Sequence, residues 1–156
     1  MKDAILCDVD GTVALMMGKR SPFEYEKAFK DEPNHPVIST VLALKESYGC
    51  ELIMLSAREN VVFNSDVKCM RGEFSSSYDL TERWLDIYIG DQNYDKLILR
   101  DKDDHRKDCY VKYDIYNNHI KGNWNVLCVF DDRNQVVDMW RNALGLQCFQ
   151  VADGNF

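Results

Sequence analysis

Apolar residues fall along this chain in short dense runs, and the stretches between them carry a longer, helical period. Ala4–Val9, Glu51–Leu55, Leu97–Leu99, Val126–Phe130 and Gln147–Val151 each predict a buried strand. Between the first two, Pro36 suits the first turn of a helix. Val37, Ile38, Val41, Leu42 and Tyr48 then share one face, and Gly49 ends it. Tyr78–Ile89 predicts an amphipathic helix through Leu80, Trp84, Leu85 and Tyr88. Cys109–Ile120 does so through Val111 and Ile115, and Asn134–Leu144 through Val136, Val137, Trp140 and Leu144, with Gly145 as its cap. Phe23–Phe29 suggests one more short helix. Val13–Pro22 and Arg100–Asp108 read as loops, and Ala57–Ser77, with no clear period, as a long functional loop.

Strands alternating with helices predict an α/β protein: a three-layer, Rossmann-like, parallel five-stranded sheet with helices on both faces. There are no repeats and no convincing linker, so residues 1–156 read as one domain. No apolar run approaches the roughly 20 residues that cross a bilayer, so no membrane partner is expected. Met1-Lys2-Asp3 enters a strand almost at once, leaving no room for a signal peptide. Six cysteines without a C-x-x-C pair, several inside apolar strands, favour a reducing, cytoplasmic setting. A net charge of −7 argues against a broad basic face that coats nucleic acid. It leaves room for a site that grips one phosphate.

Chemistry concentrates where the strands end. Asp8-Val9-Asp10-Gly11-Thr12 closes the first. Two carboxylates two residues apart need a cation between them or a shared proton. A divalent metal, with Asp8 as nucleophile and Asp10 as general acid and base, meets both needs. Gly11 lets the backbone turn sharply beside them. The second strand ends in Ser56-Ala57-Arg58-Glu59, where a hydroxyl and backbone N–H groups can hold a phosphoryl oxygen. Ser56 taken alone reads better as a helix N-cap. Lys112, on the helix after the third strand, can offset the charge of Asp8 and of a phosphoryl group. The fourth strand ends in Asp131-Asp132-Arg133, adjacent carboxylates that are costly without a cation, although either also suits a helix N-cap.

The four strand-end motifs resemble those of the haloacid dehalogenase superfamily of phosphohydrolases. Gly18-Lys19-Arg20-Ser21-Pro22, Leu55-Ser56-Ala57-Arg58-Glu59, Arg106-Lys107-Asp108 and the run from Asp131 to Arg141 are similar to the 3′-phosphatase domains of the polynucleotide kinase-phosphatase family. The closing Gln150-Val151-Ala152-Asp153-Gly154-Asn155-Phe156 is similar too. The likeness extends over essentially the whole chain. Lys19 is an added residue before Arg20, Ala57 stands in place of a glycine, and Cys109 stands where a second aspartate often follows Asp108. The kinase half of that family is not represented, because the chain has no G-x-x-x-x-G-K-[ST].

The resemblance implies a Mg²⁺-dependent polynucleotide 3′-phosphatase acting through an aspartyl-phosphate on DNA or RNA ends; it permits, without deciding, hydrolysis of 2′,3′-cyclic phosphates and a kinase or ligase partner. Asp8, the Asp10 carbonyl and Asp132 would hold Mg²⁺, with Asp131 orienting its waters or exchanging roles with Asp132. Asp8 would be ionised at neutral pH, and Asp10 would have a raised proton affinity. Ser56, the Ala57 N–H and Lys112 would hold phosphoryl oxygens, and Val13–Pro22 would form a flap. Arg20, Arg58 and Asp108 belong to the implied essential set, the arginines toward phosphate and Asp108 as an orienting group. Arg100 is a further candidate near the substrate end. A phosphatase of small metabolites or free nucleotides has the same chemistry, and a catalytically idle end-binding module is a third reading, since fold does not settle substrate.

Overall fold

The computed structural model describes residues 1–156. Five parallel strands form the central sheet: β1 (Lys2–Asp8), β4 (Glu51–Glu59), β7 (Lys96–Arg100), β8 (Trp124–Asp131) and β9 (Cys148–Gln150), in the spatial order β7-β4-β1-β8-β9. This matches the α/β architecture expected from the alternating pattern. Period-two alternation along the strands splits the apolar side chains between two cores. Ile5, Cys7, Leu52 and Met54 pack on one face against Ile38 and Val41 of α1 (His35–Tyr48) and Trp84 and Leu85 of α2 (Ser77–Leu85). Ala4, Leu6, Ile53 and Leu55 pack on the other against Val111 and Ile115 of α3 (Asp108–Ile115) and Val136 and Val137 of α4 (Asn134–Asp138). Each large apolar side chain so buried contributes about 1.5–3 kcal/mol. Helices α2, α3 and α4 each continue into a π-helical turn, ending at Gly90, Ile120 and Ala143.

Gly49 caps α1 in the left-handed conformation, as its position predicts. Tyr48 departs from expectation: it is the last residue of α1 and is exposed. The segment expected as a long loop, residues 57–77, is different again. β4 runs on to Glu59, and an antiparallel hairpin follows, β5 (Val62–Cys69) and β6 (Gly72–Ser76). β5 has no fully buried residue and β6 only Phe74; Phe63, Val67 and Cys69 pack on that side, with Ser65 breaking their alternation, so the apolar signal was weak. The flap is also longer than expected. β2 (Ala14–Leu15) pairs with β3 (Glu32–Pro33), and the excursion between them carries a 3₁₀ helix, Tyr25–Lys30, in place of the helix read at Phe23–Phe29.

All six cysteines are unpaired, four of them buried beside or within strands. No helix is long and apolar enough to cross a membrane.

β1 lies at the centre of the sheet, with β4 on one side and β8 on the other. The connections diverge at its carboxyl end, the place where such sheets form a crevice. In the β1–β8 register Cys7 faces Phe130, which sets the next residues, Asp8 and Asp131, side by side.

Candidate active site

Asp8 is the last residue of β1 and is buried. The chain then folds into a tight turn: the N–H groups of Thr12, Val13 and Ala14 all donate to the Val9 carbonyl. Gly11 takes a φ of 81° there, and a Cβ on it would sit 2.7 Å from the Asp132 carboxyl carbon. The turn directs the Thr12 hydroxyl back to Asp8 Oδ2, at 2.9 Å. Lys112, from the buried face of α3, donates to Asp8 Oδ1 at 2.6 Å and to Asp131 Oδ2 at 2.7 Å. Asp131 Oδ1 accepts the N–H groups of Asp132 and Arg133, which turns the chain out of β8. Neither Asp131 nor Asp132 caps α4 by its side chain; the cap position is Arg133.

Asp8, Asp131 and Asp132 each offer an oxygen within 4.8 Å of the others. Three buried carboxylates against one ammonium leave an excess of negative charge. Burial pushes the proton affinity of Asp8 well up, and its neighbours Asp131 and Asp132 add to this against the pull of Lys112. The same causes, burial first and Asp131 second, push Asp132 up to about 6. Among the protein's own groups, one ammonium does not balance three carboxylates, which opposes the free ionisation expected of Asp8. An all-oxygen donor set of this kind fits a hard divalent ion such as Mg²⁺. Lys112 keeps its proton, because Asp131 and Asp8 outweigh the cost of burying it.

Asp10 stands in a different arrangement. Arg58 grips it with two bonds, Nε to Oδ2 and Nη2 to Oδ1, both 2.8 Å. Arg20 Nη2 adds a third, at 2.8 Å. The same two guanidiniums hold Asp31: Arg20 by two bonds of 2.7 and 2.6 Å, Arg58 by one of 3.0 Å. Thr81 Oγ1 accepts from Arg58 Nη1, and Trp84 Nε1 donates to the Asp31 carbonyl. Two cations and two anions thus alternate and balance. Burial raises the proton affinity of Asp10, but Arg58 and then Arg20 outweigh it, so the net shift is downward. The expected upward shift was wrong in sign, because a sequence does not reveal two arginines folding onto one carboxylate.

Ser56 is fully buried, and its Oγ accepts the Arg58 N–H at 3.1 Å. The ladder pairs Ser56 with Leu99 and Glu59 with Arg100, so Ala57 and Arg58 bulge out of the sheet toward the crevice. Asp108 bridges Arg100 and Arg133. Arg100 also donates to the carbonyls of Asp104 and Arg106, which ties the charged loop to its strand. The fold therefore gathers Asp8, Asp10, Arg20, Ser56, Arg58, Lys112, Asp131 and Asp132 at one crevice. Arg100 and Asp108 form a separate brace with Arg133. Asp31 and Thr12 were assigned no role from the sequence. Thr12 lies in the first motif and was findable there; Asp31 sits in the ordinary charged run Lys30-Asp31-Glu32 and gave no signal.

Comparison with known proteins agrees with this geometry. A family model described as the polynucleotide kinase PNKP phosphatase domain matches residues 2–156. A protein of Autographa californica nuclear polyhedrosis virus, whose name couples polynucleotide kinase with RNA ligase, is 35% identical over 140 residues, 89% of this chain and 18% of its own length. A chain in a solved Pnkp1/Rnl/Hen1 RNA repair complex is 40% identical with a TM-score of 0.83, over 99% of this chain and 44% of that one. A second structure of the Pnkp1/Rnl/Hen1 complex gives 39% and 0.83, over 100% of this chain and 48% of that one. The chain thus spans less than half the length of each of these relatives.

Proposed function

Because the chain belongs to the phosphatase-domain family of polynucleotide kinase, we propose that it removes terminal 3′-phosphates from nucleic-acid ends, in the setting of RNA repair. The observation that carries this reading is the pairing of Asp8, in a cluster of three carboxylates on one ammonium, with Asp10 in a cationic clasp two residues away.

Asp8, Asp131 and Asp132 would hold Mg²⁺, which supplies charge neutralisation for an anionic nucleophile meeting an anionic substrate. With its Oδ2 held by Thr12 and its Oδ1 by Lys112, Asp8 has a fixed line of attack. An Asp8 oxygen bonds to phosphorus as the bond from phosphorus to the 3′-oxygen breaks. Asp10 passes a proton to that departing oxygen. It then takes a proton from water as the water oxygen attacks the aspartyl-phosphate, and Asp8 leaves as free carboxylate with inorganic phosphate as product.

The clasp makes Asp10 ionised at rest, which suits the second step and opposes the first. A phosphate dianion arriving at the crevice competes for Arg20 and Arg58, loosens the clasp and lets Asp10 carry the proton it must donate. The arginines would then serve both partners in turn. Ser56 and the bulged Ala57 line the phosphoryl position. Partners such as a ligase or kinase, in the same polypeptide or a separate one, are part of the proposal, since the solved relatives occur in complexes with Rnl and Hen1.

The test is phosphate release from a 3′-phosphorylated oligonucleotide, with Mg²⁺ and with EDTA, beside an equimolar nucleoside monophosphate. Metal-dependent release from the oligonucleotide is expected. Release mainly from the monophosphate would move the enzyme to nucleotide or metabolite turnover and overturn the substrate assignment.

A further inference from the structure

Gly154 is a buried residue in an otherwise exposed tail: Ala152, Asp153, Asn155 and Phe156 are all open to solvent. A Cβ on it would lie 2.6 Å from the Arg133 Cα and 2.7 Å from the Asp132 carbonyl carbon, and nearer still to the Asp132 carbonyl oxygen. The tail therefore crosses the backbone of Asp132 and Arg133 at a distance only glycine permits. The crossing is fastened on both sides. Before it, the Val151 N–H donates to the Asp131 carbonyl at 3.0 Å, and Gln150 Nε2 donates to the Asp132 carbonyl at 2.9 Å. At the crossing, the Asn134 N–H donates to the Gly154 carbonyl at 2.9 Å. Beyond it, Arg133 Nε and Gln135 Nε2 donate to the Phe156 carbonyl, and the Arg133 guanidinium lies 4.8 Å from the Phe156 ring centre.

Asp132 is confined from the other side as well. Its carboxylate lies against Gly11, where a Cβ would collide with it. A glycine near the start of the chain therefore fits the Asp132 side chain, and one near the end fits its backbone. Asp132 accepts no side-chain hydrogen bond to hold its carboxylate, unlike Asp8 and Asp131. Its direction is set by packing.

We propose that Gly154 is a positioning residue for the divalent cation: the tail segment around it locks the Asp132 backbone so that the carboxylate, wedged against Gly11, faces Asp8 and Asp131. The inference rests on the metal reading of that cluster. Groups that orient metal ligands typically alter affinity by about 10–100-fold when changed.

The test is calorimetric binding of Mn²⁺ to four proteins: wild type, Gly154→Ala, Gln150→Ala and Asp153→Ala. Gly154→Ala adds the excluded methyl. Gln150→Ala removes one fastening without adding bulk, and it decides the matter if Gly154→Ala fails to fold. Asp153→Ala changes an exposed tail residue as a control. Thermal unfolding in EDTA accompanies each. The expected result is Mn²⁺ affinity weakened at least about tenfold by Gly154→Ala and about threefold by Gln150→Ala, with the Asp153→Ala protein binding like wild type. The Gln150→Ala protein should also keep a near-normal melting temperature in EDTA. Mn²⁺ affinity unchanged in both tail variants, with melting temperature lowered, would overturn the proposal and leave the tail a structural strap. A wild-type protein that binds no Mn²⁺ would overturn the metal reading itself, and the inference with it.

Discussion

Two charged clusters lie next to each other at the end of β1, built from similar residues to opposite effect. Asp8, Asp131 and Asp132 share a single ammonium, Lys112. Asp10 and Asp31 share two guanidiniums, Arg20 and Arg58. The first cluster carries an excess of negative charge, which a divalent ion would offset. The second is balanced within the protein at rest, joining β4, α2 and the flap around Asp10. The difference lies in charge count and in the bidentate geometry that arginine has and lysine lacks. A buried site can thus be charged and balanced at rest, or charged and receptive, according to whether the balancing ion belongs to the chain.

The largest expected effect comes from the receptive side. Asp8→Asn should lower turnover of a 3′-phosphorylated oligonucleotide by roughly 10³-fold or more, the scale at which nucleophile loss is felt in other covalent hydrolases. It should nonetheless unfold no more easily than wild type in EDTA, because one repelling carboxylate has gone. Retained turnover would sink the covalent mechanism. On the balanced side, Arg58→Ala should cost about 3–5 kcal/mol in denaturant unfolding, since Asp10 and Asp31 would be left buried and underpaired. A loss below about 1 kcal/mol would mean that the balanced ring is not structural.

Acid separates the clusters next. Asp132 titrates near 6 in the folded chain, above the roughly 3.9 of an unfolded aspartate. Its contribution to stability without metal is present below about pH 4 and is lost as pH rises through about 6. Asp10 is shifted down, so its contribution is present above about pH 4 and is lost on further acidification. Mg²⁺ must displace protons from the receptive cluster. Its stabilisation should therefore grow as pH rises through about 6, reaching about 2.7 kcal/mol at a hundredfold excess over Kd. Thermal unfolding between pH 5 and 8, with Mg²⁺ and with EDTA, checks this. A Mg²⁺ effect independent of pH across that range would remove Asp132 from the ligand set. The smallest effect serves as reference: Lys19→Ala breaks the exposed Lys19–Glu32 pair on the flap and should cost under about 1 kcal/mol.

Some of this was written plainly in the chain. A strand buried on both faces must be apolar at nearly every position, so the central sheet strands were legible as runs, and the polar residues ending them stood out. Asp8, Asp10, Ser56, Asp131 and Asp132 were found for that reason, and Lys112 by its place on the helix after the third strand. The β5–β6 hairpin was not found, because its one packed face is small, Phe63, Val67, Cys69 and Phe74, and the polar Ser65 interrupts the alternation there. Asp31 was missed because a buried acid and a solvated one are the same letter, and only the approach of Arg20 and Arg58 distinguishes them.

The sequence by itself determined the layered sheet and which residue types end its strands, because burial imposes a pattern on local composition. Tertiary structure alone decided how the charges are shared. Whether a carboxylate is balanced depends on cations 10 to 104 positions away, Arg20 and Arg58 for Asp10 and Lys112 for Asp8. Electrostatic energy depends on distance in space, and folding sets that distance without leaving a periodic mark in the chain.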